Sequence, residues 1–284
     1  MGFQSLHKAL LLLRHPVMWL SGVFSGLFCA SLVYLAFLGT AGAFYAERLL
    51  VFGLLMLPFF LAATYGSIKG EDYSFKNYLK EGISGYFRVL LPTVIITAVF
   101  FVFILVLALP GTMSGASGML LMSVSFIVIL IPVLLFVFFY DTAAIFEDKK
   151  VFECIRRSFE VSYSRTVPIF GFYLLTVLIL FILFTGFSLL WSGILASQFE
   201  PLLSMSEEEI NNFATNPDAV REMLGEYGVL ITAVMTFFGA FVFTVFFLPY
   251  KAVFYRDHLK DSKITPVSKE PLGEYDEKGR WYKY

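Results

Sequence analysis

The chain predicts an all-α polytopic membrane protein, six transmembrane helices built as three parallel repeats of an amphipathic helix plus a helical hairpin. Three observations carry this reading. The first is composition: 58% of the 284 residues are hydrophobic, 18% aromatic and only 15% charged, with a mean hydropathy of +0.77. Soluble domains carry roughly 25% charged residues, so lipid must be the solvent for much of this surface. The second is a series of uncharged runs, each long enough to cross a hydrocarbon core, which takes about 20 helical residues. The third is a recurring charged amphipathic segment, at 1–16, 71–92 and 147–168, that leads each time into an apolar run.

Taken in order, residues 15–46 carry no charge and predict span one at about 17–38. Glu47 and Arg48 interrupt, and 49–68 gives span two. Residues 89–140 are uncharged and long enough for two spans, divided by the breaker-rich turn 110–118. Spans three and four fall at about 88–109 and 119–141, span five at 167–190 and span six at 228–254. Only helices and closed barrels satisfy the backbone in lipid, and runs this long exclude barrel strands. The run after Arg14 has no A-x-A-like cleavage site and reads as a retained span.

Charge placement sets the orientation. Of the 21 Lys and Arg, all but Arg48 and Arg221 fall on one side of a six-span topology. The positive-inside rule makes that side cytoplasmic, with both termini there and the chain in the cell membrane. A net charge of −1 offers no general attraction for nucleic acid.

Pro16, Pro92 and Pro168 lie 76 residues apart, each at the start of an odd-numbered span. On that offset Phe3, Leu79 and Ile155 form one column, His7, Ile83 and Phe159 the next, then Leu11, Phe87 and Tyr163. The columns are spaced as one face of a helix. The units run about 1–68, 71–146 and 147–256, with a polar, flexible cytoplasmic tail at 257–284. Two crossings per unit make the repeats parallel.

In the interface, Lys149, Lys150, Arg156 and Arg157 are candidates for contact with anionic lipid. Gly22, Ser25 and Gly26 form a small-residue face for close helix packing, within the chain or against another membrane protein or a second copy. The outer loop 191–227 suggests two short helices, one from Ser206 and one from Pro217 with a stop at Gly225. It reads as a solvated acidic cap.

Chemistry is sparse. No HExxH, GxSxG or Walker A pattern occurs, Cys29 and Cys154 form no ligand motif, and His7, His15 and His258 all lie at the cytoplasmic side. The reading is no catalytic residue, no cofactor and no metal site. Asp141 stands at the inner end of span four, where water or a neighbouring helix end can satisfy it; Tyr65, Tyr140 and Tyr250 occupy similar positions as anchors. The chain therefore reads as a scaffold or subunit of a membrane assembly, with a carrier or binder of lipid or another apolar solute as the alternative. The 34 Phe residues suit an apolar pocket or simple lipid-facing bulk.

The segment Glu147-Asp148-Lys149-Lys150 followed by Cys154-Ile155-Arg156-Arg157-Ser158-Phe159-Glu160-Val161 resembles a connector in six-span prokaryotic membrane proteins. These include the membrane domain of some glycerophosphodiester phosphodiesterases and related domains of unknown function. The resemblance covers about 1–256 and implies a fold without a substrate; the phosphodiesterase's catalytic barrel has no counterpart here.

Overall fold

Apolar runs, prolines and short polar turns divide the chain into helices of very unequal length. The computed structural model describes residues 2–113, 131–201, 205–206, 217–260, 274–275 and 281–282. Helix α1 (Gly2–Leu12) ends in a tight turn, and a short 3₁₀ segment, Pro16–Trp19, leads into α2 (Leu20–Ala36). Then come α3 (Gly39–Gly70), α4 (Phe75–Met113), α5 (Tyr140–Phe146), α6 (Val151–Ser164), α7 (Thr166–Ile194), the single turn α8 (Ala196–Phe199) and α9 (Pro217–Phe254). A π-helical turn, Tyr255–Leu259, closes α9. In the tail, β1 (Glu274–Tyr275) and β2 (Trp281–Tyr282) pair antiparallel over two residues.

Among the described residues, five helical stretches are long and apolar enough to cross a membrane: Pro16–Ala36, Ala41–Gly70, Phe75–Val106, Thr166–Ile194 and Ala219–His258. Most of the expected span four lies outside the described residues; its end is the shorter apolar stretch Ile131–Phe146. The first outer-loop helix, expected from Ser206, also falls largely outside them.

Three boundaries differ from expectation. Glu47 and Arg48 do not interrupt α3. Arg48 donates to the Phe44 carbonyl at 2.7 Å and stacks 3.1 Å over the Phe44 ring, so its charge is satisfied along the helix surface. Segment 71–92 is not a separate amphipathic helix, because α4 runs straight through Pro92. Proline costs one backbone bond, and the remaining bonds of a long apolar helix, supplemented by the Thr93 hydroxyl on the Val89 carbonyl, hold the rod together. Nor does α4 stop before Pro110; it continues to Met113.

The helices before α2 and α7 do break at the expected places. Between α6 and α7, Arg165 leaves helical geometry (φ −126°, ψ 40°), and the Thr166 hydroxyl takes the Ser162 and Tyr163 carbonyls. At the other end of the molecule α9 begins at Pro217 and loses helical geometry at Gly225 (φ 60°, ψ −177°), a backbone region essentially open to glycine alone.

The buried core gathers at one end, where the basic residues lie. It joins the last turns of α3 (Leu61, Tyr65, Ile68), α5, the start of α7 (Ile169, Phe172) and the last turns of α9 (Leu248, Tyr250, Phe254). A smaller cluster of Leu195, Leu224 and Val229 closes the opposite end. By contrast the amphipathic columns face outward except at Ile155, which packs against this core. Phe3, Ile83, Phe87, Phe159 and Tyr163 are all exposed, as residues meeting lipid would be.

Along the rest of its length α9 packs against α2. Gly22 and Gly26 permit this approach: a Cβ on Gly26 would stand 2.8 Å from the Phe237 carbonyl oxygen, and one on Gly22 would collide with Val245 and stand 3.0 Å from the Phe241 oxygen. Ser25, between them, is half-buried. Gly26→Ala should therefore lower the melting temperature in mild detergent, by the equivalent of about 1–3 kcal/mol for an overpacked contact. Gly186→Ala, where nothing lies within 4 Å, should leave it unchanged. Equal melting of the two variants would contradict this packing.

Candidate functional site

Three helices deliver one polar group each to a single point at the basic end. Asp141 opens α5, Lys251 sits in the last turn of α9, and Tyr65 lies near the end of α3. Lys251 Nζ stands 2.7 Å from Asp141 Oδ2, and their side chains are only 6% and 5% exposed. Tyr65 donates its hydroxyl to the same oxygen at 3.3 Å, and the Thr142 backbone N–H reaches Asp141 Oδ1 at 2.7 Å. The ammonium also lies 4.1 Å from the Phe138 ring centroid, a cation–π position. Both carboxylate oxygens are thus engaged, which a buried ion pair requires if it is to offset its desolvation.

A second layer of charge surrounds this pair. Arg157 Nε donates to both Glu147 oxygens at 2.9 and 3.0 Å, and its other nitrogen to the Lys260 carbonyl at 2.9 Å; Tyr255 donates to Glu147 Oε1 at 2.7 Å. Asp148 accepts from Lys69 at 2.6 Å and from Arg88. Lys8 reaches Asp257 at 2.6 Å, and His258 Nε2 meets the Ser5 hydroxyl at 3.1 Å, which fastens α1 across the end of α9.

The connector motif has a local reason. Phe138 and Phe139 form a turn inside the apolar stretch before α5, and Ser158 of α6 seals it. Its hydroxyl donates to the Phe136 carbonyl at 2.7 Å and accepts the Phe139 N–H at 3.0 Å. Of the four basic residues singled out for lipid contact, Arg157 is turned inward, its side chain 11% exposed. Arg156 lies on the surface against Glu160, Lys150 is exposed and Lys149 half-buried.

Away from the basic end the molecule opens between α7 and α9. A cleft of about 580 Å³ lies there, within the roughly 300–1,000 Å³ of small-molecule sites. Leu183, Phe187 and Trp191 form the α7 wall, Thr232, Thr236 and Phe243 the α9 wall, and Cys29 of α2 the floor. Leu180 and Phe184 at its edge are 45% and 70% exposed, so the cleft opens sideways, toward what would be lipid. No charged side chain lines it among the described residues, and no group of His, Cys, Asp or Glu there could hold a metal ion.

Sequence reasoning placed Asp141 and Tyr65 at one end of the spans but missed Lys251 as their partner. A signal was present: Tyr140-Asp141 and Tyr250-Lys251 are Tyr-charge pairs of opposite sign ending two spans expected on the same side. The cleft left no local signature.

Removing one partner of the buried pair should cost about 3–5 kcal/mol, whereas replacing both by apolar residues can be neutral. Asp141→Leu and Lys251→Met should each lower the melting temperature sharply in detergent, and the double variant should recover most of the loss. Additive losses would contradict a direct coupling.

Lys69, then Arg88, holds the Asp148 carboxyl below the usual carboxylate range. A depressed carboxyl stabilises the fold above its unfolded value of about 3.9, and that contribution is lost as pH falls through the lower folded value. The group is half exposed, so its share is small. Asp148→Asn should slightly lower the melting temperature at neutral pH and flatten the acid limb of the melting profile; an unchanged limb would argue against the contact.

A family model described as a domain of unknown function, DUF7847, matches residues 3–258. No curated protein and no solved structure matches the chain. The family match carries no tie to the phosphodiesterase membrane domains. Since it takes in nearly the whole helical body, from α1 through the π turn, the chain belongs to the DUF7847 family.

Proposed function

We propose that this is a multi-pass protein of the cell membrane that binds a lipid or another apolar solute in the cleft between α7 and α9. The observation that carries this reading is the cleft itself, large, lined without charge and open at its edge. The same reading takes 119–141 as a sixth crossing, arranges the chain as three parallel repeats and puts both termini in the cytoplasm. Its support is the gathering of basic residues at one end and the offset of 76 residues between the three prolines. No catalysis is ascribed to the protein; the buried pair described has both carboxylate oxygens of Asp141 engaged with its neighbours.

The scaffold reading rested partly on the small-residue face of α2. In the fold Gly22 and Gly26 are occupied by α9 of the same chain, which weakens that reading against the cleft.

Native mass spectrometry of the protein in mild detergent should find an apolar molecule retained at one per chain. Gly239 borders the cleft and has only Phe187, at 3.9 Å, near an added Cβ, so Gly239→Phe should fill the space without a backbone clash and abolish retention. An empty protein, or equal retention by the filled variant, would overturn the proposal.

A further inference from the structure

The cleft is graded in polarity, and both walls agree on the direction. On α7, Ser188 and Trp191 lie toward the far end of the helix, while Leu180 and Leu183 lie deeper. Because α9 runs antiparallel, Thr232 and Thr236 come level with the polar pair, and Gly239 and Phe243 with the apolar one. Two helices distant in sequence thus put hydroxyls at one end of the same cleft and hydrocarbon at the other. At 1.5 Å per residue, the polar level stands about 9 Å inside the far end of α7, and the cleft runs about 16 Å along it.

The hydrogen-bonding capacity at the polar end is specific. Thr232 spends its proton on the Gly228 carbonyl at 2.7 Å and accepts the Trp191 indole N–H at 2.9 Å. Thr236 spends its proton on the Thr232 carbonyl at 2.8 Å. What remains are acceptor lone pairs on both threonines and the Ser188 hydroxyl, which has no hydrogen bond among the described residues. No cationic side chain lines the cleft among those residues either. A phosphate or carboxylate head would find no cation among the lining residues to neutralise it. A hydrocarbon would leave the acceptors unmet.

On the reading that the cleft binds an apolar molecule, we infer that its ligand is a single-chain amphiphile with an uncharged, hydroxyl-donating head. The head lies at Ser188 and Thr236, and the tail runs between Leu183 and Phe243.

Cys29 lines the cleft and makes the occupant observable. The only other cysteine, Cys154, has no exposed surface, so it is shielded from maleimide. Full-length protein in detergent is labelled with N-ethylmaleimide in the presence of a long-chain primary alcohol, the alkane of equal length or the matching alkyl phosphate. The alcohol should protect Cys29 at about fivefold to tenfold lower concentration than the alkane, the worth of one or two net hydrogen bonds. The alkyl phosphate should protect least. A Ser188→Ala/Thr236→Val variant should erase the advantage of the alcohol and keep the alkane's protection. Equal protection by alcohol and alkane, or strongest protection by the phosphate, overturns the assignment of the head while leaving an apolar site in place. No protection by any of the three overturns the cleft as a binding site.

Discussion

The contact between Lys251 and Asp141 sets the terms for the rest of the fold. A charged pair this far from water persists only where both partners are desolvated together and every remaining polar valence is met. Meeting that condition draws α3, α5 and α9 to one point, through Tyr65, the Thr142 amide and the two acid–base partners themselves. It also calls for a dry wall around them, and Phe138, Phe139, Phe172 and Phe254 supply it as a cluster of aromatic rings. The deepest packing therefore lies at the basic end, and the opposite half is free of that demand.

Basic residues at this end have a second use. Positive-inside bias is usually read as loose charge near headgroups, yet here much of it joins elements distant in sequence. Lys69 and Arg88, from the end of α3 and the middle of α4, share Asp148 in the turn before α6. Arg157 ties α6 to Glu147 and to the carbonyls beyond α9. Lys8 ties α1 to Asp257. The apolar stripes of the same segments point outward, with Ile83, Phe87 and Tyr163 exposed. In each amphipathic segment the charges thus hold the bundle together while much of the apolar stripe stays exposed.

How far the sequence could be read depends on the range of each signal. Span positions rest on local composition, and α2 and α7 fall within a few residues of where the uncharged runs put them. Boundaries that depend on a competing local choice were less legible. Glu47 and Arg48 look like a break but are accommodated on the surface of α3, and Pro92 looks like the start of a span but lies inside α4. The pairing of Asp141 with Lys251 spans 110 residues, and no periodicity within a helix reports on it. Ser158 was visible as part of a motif, but its reason, the turn it seals in another element, belongs to tertiary structure. The cleft was the least legible feature, since a gap between helices is defined by where side chains fail to meet.

The two walls of that cleft are held unequally, and this decides what fixes its width. One wall, α9, is pinned at three levels: at Lys251 by the buried pair, at Gly22 and Gly26 by α2, and beyond Gly225 by the Leu195 cluster. It cannot move away from α7 without opening a glycine-lined contact whose backbones already touch side chain and carbonyl. The other wall, α7, is buried only near its start, at Ile169, Phe172 and Leu175, and then presents Val177, Phe181, Ile182 and Phe184 to the outside. Its far end is held against α9 by the Leu195 cluster, in which Leu195 and Trp191 pack with Leu224 and Val229, and by the hydrogen bond from Trp191 to Thr232. The width of the cleft is therefore set between two contacts, the aromatic cluster at the start of α7 and the Leu195 cluster at its far end. The first of these contacts is set where Arg165 breaks the backbone and α6 closes over the aromatic cluster, a region that touches no part of the cleft.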